Sequence, residues 1–303
     1  MEYSAIELFS YFFIYCFLGW FIESLIVSYE RHKFINRGFL KLPLLPIYGS
    51  GALLLLIILM PYKNNIFIVY ILGMITATIL EYFVGAAMEF MFKMKYWDYS
   101  KDKFNYKGRI CLESSLFWGV LSVVLVCFIH KYIEEFIGSL NIHYLKICIM
   151  ILIIITSIDA AVSMHEAADI HKILEKISRL KNEIEKVYEE IDELLENAYN
   201  EFDRHKEKEE LKIFIYKTKQ NVIELKEKAQ SLKEKRKSII KDISTGKIRL
   251  LDSNPTAAST NFNEALKEVR SRVYANYETH KNNIAEKIGK LQKKIEVFIH
   301  HES

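Results

Sequence analysis

The chain has few of the residues that mark disulfides, metal sites and tight turns. Its 303 residues include only four prolines and four cysteines, and each cysteine stands in an apolar stretch without a C-x-x-C partner: Cys16, Cys111, Cys127 and Cys148. A disulfide framework or a zinc site is therefore disfavoured, and small buried thiols are expected. Because prolines are so rare, Pro43 and Pro46, three residues apart, mark the stretch around them as structurally special.

Motifs of known catalytic sites are missing as well. The chain contains no G-x-x-x-x-G-K-[ST] loop, and Ser244–Lys247 resembles only the end of one. His165–Asp169 departs from the zinc-protease motif H-E-x-x-H because its last residue is an aspartate. We therefore expect no enzymatic activity and no cofactor, so that any ATP hydrolysis would need a separate protein.

Charge is nearly balanced over the whole chain, with 41 basic and 38 acidic residues. This balance points to no particular partner, and the alternating charges of the second half are typical of a solvated helix face rather than of a nucleic-acid site. The first residues contain no Lys or Arg, whereas a cleaved signal peptide begins with a basic region. The first apolar run is therefore expected to be a retained membrane helix.

Long apolar runs dominate the first half. Five of them reach the roughly 20 residues that a helix needs to cross a bilayer: Glu7–Val27, Leu42–Met60, Ile66–Phe90, Leu112–Ile129 and Leu145–Met164. The predicted fold class is therefore all-α, with a five-helix transmembrane bundle in residues 1–165 and a cytoplasmic coiled-coil region in residues 166–303.

The basic residues alternate between the loops of this bundle. The loops after the first and third predicted spans are rich in Lys and Arg, whereas the other two loops contain few. Basic loops stay on the cytoplasmic side of a membrane. The pattern therefore predicts an outside N-terminus, both basic loops inside, and a cytoplasmic C-terminal half.

The C-terminal half has apolar residues at alternating spacings of three and four, as in coiled coils. One series runs from Ile170 to Ala198 and a second from Leu211 to Leu232, and a third follows Phe262. A break is predicted near residues 244–260, where Gly246 and Pro255 disfavour a helix. Such helices must bury their apolar stripe, either on one another, on a second copy or on a partner protein.

Ionisable residues inside the predicted spans are costly, so they face protein or water. We expect a polar layer near the inner membrane surface, in which five acids meet two arginines: Glu23, Glu81, Glu89, Glu113, Asp159, Arg37 and Arg109. This layer is either a vestibule for a cation, a proton or a polar substrate, or a set of structural ion pairs. The residues alone leave both readings open.

The proline-rich stretch leads from the first basic loop into the second predicted span. Proline disrupts a helix and glycine permits sharp turns, so a broken helix is expected there, at the mouth of this layer. Its candidate residues are Asn36, Gly38, Pro43, Pro46, Tyr48 and Gly49. The eleven-residue spacing from Gly38 to Gly49 recurs from Gly108 to Gly119, which suggests a duplicated two-helix hairpin.

Several short motifs together resemble one family. They are G-W-x-x-E-S (Gly19–Ser24), N-R-G-F-L (Asn36–Leu40), P-I-Y-G-x-G (Pro46–Gly51), Y-W-D-Y-S (Tyr96–Ser100) and G-R-I-C-L-E-x-S-x-x-W-G (Gly108–Gly119). This combination is similar to the ABC-transporter type IV, or CmpB-like, family of bacterial membrane permeases, from about Tyr11 to Met164. The resemblance implies a multi-pass plasma-membrane permease of unknown substrate that works with a separate ATPase subunit.

Two functions remain open on these grounds. A permease would need a water-accessible cavity lined by the acids. A membrane scaffold would instead recruit or oligomerise partners through the coiled coil and would use the acids only in closed ion pairs. A membrane-embedded enzyme is the third and least supported alternative, since no motif names a reaction.

Overall fold

A computed structural model describes residues 3–202, 208–243, 245–259 and 261–271 of the chain. Over these ranges the chain is mostly α-helical, and two strands of two residues each pair in one small sheet. The all-α prediction is therefore confirmed.

The helices are numbered along the chain as α1 (Ala5–Arg31), α2 (Pro46–Leu59), α3 (Ile66–Phe92), α4 (Leu112–Val123), α5 (His130–Ser139), α6 (Ile142–Phe202), α7 (Lys208–Lys241) and α8 (Thr245–Ser253). A 3₁₀ turn at Met60–Tyr62 follows α2, and a π-helical segment at Val124–Ile129 joins α4 to α5. The strands are β1 (Met94–Lys95) and β2 (Ala258–Ser259), which pair antiparallel.

The predicted number of membrane spans is wrong. Within the described residues, four helical stretches are long and apolar enough to cross a bilayer, not five: Ala5–Arg31, Ile66–Phe92, Leu112–Ser139 and Ile142–Asn197. The predicted second span contains only α2, whose 14 residues extend about 21 Å against a hydrocarbon core of about 30 Å. Pro46 begins this helix, and the residue before a proline avoids the α region, so Leu45 is extended (φ −113°, ψ 94°).

The ends of α1 and α3 follow from local side chains. Ser4 caps α1 by accepting from the Glu7 backbone N–H, while the Glu7 carboxylate accepts from the Ser4 N–H. Asn65 caps α3 in the same way through the Ile68 N–H. Both helices end at a residue in the left-handed region, so the chain turns sharply where each basic loop begins.

Close packing through glycine joins α1 to α2. A Cβ atom at Gly49 would lie 2.4 Å from the Cys16 Sγ and 2.6 Å from the Phe12 carbonyl oxygen. A Cβ atom at Gly19 would lie 2.2 Å from the Tyr48 ring. The glycines therefore let the two helices approach at a distance that any side chain would prevent, as is common between membrane helices.

The chain divides into two compact units. Unit 1 comprises Met1–His171 together with Thr245–Asn261, and unit 2 comprises Lys172–Ser244 with Phe262–Ser303. We call Thr245–Asn261 the returning segment. The sequence predicted a break in the C-terminal half at this position, whereas the structure makes it part of unit 1, because its contacts are with the loops of the membrane helices.

Unit 2 contains helices that pack against one another. Val187 and Ile191 of α6 are buried with Ala229 of α7, and Leu225 and Leu232 pack beside them. Residues 263–271 are also helical, and they carry ion pairs that link Glu264 to Lys181 and Glu268 to Arg236. The predicted third series continues beyond residue 271, outside the described residues. A coiled coil in the strict sense stays a prediction.

Candidate functional site

An irregular, non-helical segment, residues 35–45, runs along the side of α1. The Ile35 N–H donates to the Ser28 hydroxyl (2.9 Å), the Arg37 N–H donates to the Ser24 hydroxyl (3.1 Å), and the Leu45 N–H donates to the Cys16 carbonyl (3.0 Å). From Ser28 to Cys16 the segment therefore follows α1 for about 18 Å. Non-helical backbone at this depth is possible only because protein groups satisfy its polar atoms.

The predicted broken-helix mouth lies in this segment and in the first turn of α2. Asn36 accepts a hydrogen bond from the Trp20 indole N–H (2.6 Å), and Gly38 has φ +142°, which a side chain would strain. Pro43 lies half-buried in the irregular segment, and Pro46 occupies the first turn of α2. Tyr48 and Gly49 then face α1 through the contacts described above.

The second basic loop, residues 93–111, folds back on itself. The Tyr99 N–H donates to the Gly108 carbonyl (2.9 Å), and the Trp97 indole N–H donates to the Arg109 carbonyl (2.8 Å). The ring of Phe39 from the first loop packs against Tyr96, with centroids 5.4 Å apart. The two basic loops therefore lie together at one end of the helices.

Each hairpin contains one carboxylate–guanidinium pair. Glu23 pairs with Arg37 at 3.4 Å, and Glu89 pairs with Arg109 at 2.8 Å. Arg109 also donates to the Tyr82 hydroxyl and lies over its ring, 5.3 Å from the centroid. The two pairs occupy comparable places in the two hairpins, although the duplication itself stays a prediction.

We expect the Arg109 pair to be a stability determinant. Arg109→Ala removes an ion pair whose side chains are only 18% and 16% exposed, together with the Tyr82 contact, and should cost about 2 kcal/mol. The measurement is the midpoint of thermal unfolding of the purified protein. The control Lys131→Ala removes an ion pair with Glu135 that is 76% and 62% exposed and should change stability by less than about 0.5 kcal/mol. Equal shifts in the two variants would contradict this prediction.

Glu81 differs from the other acids because its partners are uncharged. Its Oε2 accepts from the Trp118 indole N–H (3.0 Å) and from the Ser114 hydroxyl (3.3 Å), and its Oε1 accepts from the Tyr99 hydroxyl (3.2 Å). Burial and the nearby Glu81 carboxylate raise the pKa of Tyr99, so this hydroxyl keeps its proton and donates it. Glu81 is thus a buried carboxyl held by three neutral donors.

The remaining members of the predicted polar layer lie apart. Asp159 of α6 accepts from the Leu42 backbone N–H (2.8 Å) and from the Ser163 hydroxyl, so it binds the irregular segment 35–45. Glu113 is exposed in the first turn of α4. The structure therefore assembles Glu23, Glu81 and Arg37 around one space but does not bring all seven predicted residues together.

That space is a cavity of about 300 Å³ beside the two basic loops. Its lining includes Glu23, Arg37 and Glu81. Seven aromatic side chains line the same cavity: Phe39, Tyr48, Tyr96, Trp97, Tyr99, Phe117 and Trp118. A second cavity, of about 150 Å³, is lined almost entirely by apolar side chains of α1 to α4 and the π-helical segment. The two cavities share lining residues, among them Tyr48, Glu81 and Trp118. Glu81 therefore lies where the polar cavity adjoins the apolar one.

The returning segment covers the basic-loop end of unit 1. Arg249 donates to the carbonyls of Leu40 (2.8 Å) and Phe39 (3.0 Å), and β2 pairs with β1. Arg37 donates to the Ser253 carbonyl (2.7 Å) and to the Asn254 side chain (2.8 Å). Asn254 also lines the larger cavity. Arg37 therefore contacts both the Glu23 carboxylate and a cavity-lining residue of the returning segment.

Sequence reasoning missed several of these residues. Tyr99 and Ser114 are ordinary loop and helix residues, and no spacing connects them to Glu81. Trp118 had one signal, since it precedes Gly119 as Tyr48 precedes Gly49. No pattern indicated that Arg249 and Asn254 return to the membrane helices. Over the described ranges, no three His, Cys, Asp or Glu side chains are grouped as a metal site would require.

Apolar helices of span length, an irregular segment satisfied by protein groups and a cavity with buried charges are features of a multi-pass membrane protein. The chain belongs to the family described as "Putative ABC-transporter type IV", which matches residues 10–164. The resemblance seen in the motifs is thereby confirmed, and the matched residues include every helix from α2 to α5. No curated protein and no solved structure matches the chain.

Proposed function

We propose that this chain is the permease subunit of a transporter in the bacterial plasma membrane, with the basic loops and unit 2 in the cytoplasm. Family membership supports a transporter component, and the clustered basic residues support the orientation. ATP hydrolysis would be the task of a separate protein, in keeping with the absence of a phosphate-binding loop from the sequence.

The cavity beside the basic loops is the observation that carries this proposal. A permease needs a space that accepts a polar substrate within the membrane, and charged groups inside spans are costly unless they serve or face such a space. Glu23, Arg37 and Glu81 line one cavity, and its volume of about 300 Å³ is within the range of small-molecule sites.

Recovery of a partner ATPase tests the proposal. The tagged full-length chain is crosslinked in its native membrane and purified, and the co-purifying chains are identified by mass spectrometry. We expect the ATPase to dock on the cytoplasmic basic loops. Phe104 in the second basic loop is 82% exposed, so Phe104→Glu should lower ATPase recovery at least about fivefold. The control is Tyr62→Glu, in the 3₁₀ turn that precedes the other end of α3, and it should leave recovery unchanged.

Repeated recovery of the chain without any nucleotide-hydrolysing protein would contradict a transporter of the ABC type. Equal recovery with both variants would contradict the docking surface at the second basic loop.

A scaffold is the second candidate, and exposed apolar side chains of unit 2 favour it. Ile213 and Tyr216 of α7 are 67% and 66% exposed, and Leu195 of α6 is 49% exposed. Apolar side chains that are this exposed are candidates for contact with a partner. Under this alternative, Ile213→Lys would abolish co-purification of a non-ATPase partner or of a second copy, as judged by mass spectrometry and light scattering.

A further inference from the structure

The larger cavity has more acidic than basic groups. Among the described residues, the carboxyl groups of Glu23 and Glu81 and the guanidinium of Arg37 line it. Arg37 pairs with Glu23, whereas the side chains that hydrogen-bond to Glu81 are all uncharged. Because Glu81 is only 4% exposed, bulk water offsets little of its charge.

Three hydrogen-bonding side chains surround the Glu81 carboxyl group. The Trp118 indole nitrogen can only donate, so the Oε2 atom that it contacts must accept. The Tyr99 and Ser114 hydroxyls also point at the two carboxylate oxygens. Burial among neutral partners alone favours the protonated acid, whereas a cation placed at Glu81 would supply the counter-charge that holds the ionised form.

The side chains that line the two cavities indicate which class of cation they would bind. Aromatic side chains make up much of the cavity wall, and two of them, Tyr99 and Trp118, contact the Glu81 carboxyl group directly. Inorganic divalent cations prefer shells of oxygen ligands, whereas ammonium groups bind well against aromatic faces. The adjoining cavity is lined by side chains such as Leu18, Leu55 and Leu121, which would accept an apolar body.

We propose that the two cavities together bind an amphipathic organic cation, a protonated or quaternary amine whose charge lies at Glu81 and whose apolar body occupies the smaller cavity. The inference rests on the proposed permease function and deepens it by naming the substrate class. Glu81 supplies the charge, Trp118 and Tyr99 orient it, and the aromatic rings distinguish an alkylated ammonium from a hydrated metal ion.

The test is equilibrium binding of benzyltrimethylammonium to the purified full-length protein, measured by isothermal titration calorimetry. Its neutral isostere neopentylbenzene, in which carbon replaces the charged nitrogen, has nearly the same shape. We expect saturable binding of the cation, and affinity for neopentylbenzene at least about tenfold weaker, because only the cation gains from the carboxylate and the rings. Equal affinity for the two probes would overturn the proposal without requiring any variant.

Matched variants locate the site. Glu81→Gln should weaken cation binding at least about tenfold, and Glu81→Asp should retain most of it because the charge is kept. Glu113→Gln removes an exposed carboxylate of the same end of the molecule and should stay within about twofold of the unchanged protein. Unchanged binding by Glu81→Gln, or an equal loss in Glu113→Gln, would overturn the assignment to Glu81.

These results are distinguishable from the fate of the permease proposal, since binding needs no ATPase. Charge-dependent binding in a chain that never recovers an ATPase would uphold the cation site and reject the ABC permease. An ATPase partner together with equal affinity for the two probes would uphold the permease and reject the substrate class.

Discussion

Replacing Gly49 with leucine is expected to destabilise unit 1 strongly. The first side-chain atom would already lie 2.6 Å from the Phe12 carbonyl oxygen and 2.4 Å from the Cys16 Sγ, and the carbonyl belongs to the backbone of α1. The two helices would have to separate, which also removes the Leu45 N–H from the Cys16 carbonyl. We expect a loss of at least about 3 kcal/mol and a drop of about 10 °C in the unfolding midpoint.

The matched control for this variant is Gly138→Leu. Like Gly49, Gly138 is a glycine within a helix, in this case α5. A Cβ atom there would meet nothing within 4 Å. Because leucine has a higher helix propensity than glycine, this variant should be neutral or slightly stabilising. The measurement is the fraction of monodisperse protein that remains after heating, followed by size-exclusion chromatography. Similar losses in both variants would show that the close approach of α1 and α2 is not the determinant.

Arg249→Ala is expected to release the returning segment from the basic loops. The guanidinium donates to two backbone carbonyls, those of Phe39 and Leu40, and no alanine can replace these bonds. The measurement uses the double variant Lys95→Cys/Ala258→Cys, whose positions face each other across β1 and β2. Facing positions of an antiparallel pair suit a disulfide, and we expect the Arg249→Ala change to lower its yield at least about fivefold.

Two controls accompany the cross-link. Arg179→Ala removes an arginine that is 73% exposed in unit 2 and should leave the yield unchanged. The offset pair Lys101→Cys/Ala258→Cys should cross-link poorly even with Arg249 present, because Ala258 pairs with Lys95. Peptide mass spectrometry under non-reducing conditions quantifies each disulfide. A yield that is insensitive to Arg249→Ala would mean that other contacts hold the segment.

Much of the helical framework could be predicted from composition and spacing. Four of the five proposed spans contain helices of span length, because long apolar runs have few alternatives in a membrane. The second proposed span, Leu42–Met60, was wrong because hydropathy alone does not show that the chain before Pro46 is not helical. Residues 42–45 count as apolar in a hydropathy window, but the Leu42 N–H donates to Asp159 and the Leu45 N–H donates to the Cys16 carbonyl instead of forming helical bonds.

The sequence predicted which charged residues the candidate site contains, but not how they are arranged. The acids and arginines of the membrane half could be named from the sequence because ionisable residues are rare in apolar runs. Their partners could not, since Glu81 receives its hydrogen bonds from residues 18 to 37 positions away. The separation of Glu113 and Asp159 from the cavity likewise depends on helix rotation, which spacing within one segment does not determine.

By itself, the sequence determined that the protein is helical, that its first half is apolar enough for a membrane, and that charged residues stand inside that half. Those properties are local, because they depend on the solubility and helix preference of neighbouring residues. Only the tertiary structure decided that Arg37 would pair with Glu23 while Glu81 would meet neutral donors, and that residues 245–261 would return to cover the cavity. The contact of Arg37 with Ser253 and that of Arg249 with Leu40 each join residues more than 200 positions apart. Such contacts are selected by packing geometry rather than by any pattern along the chain.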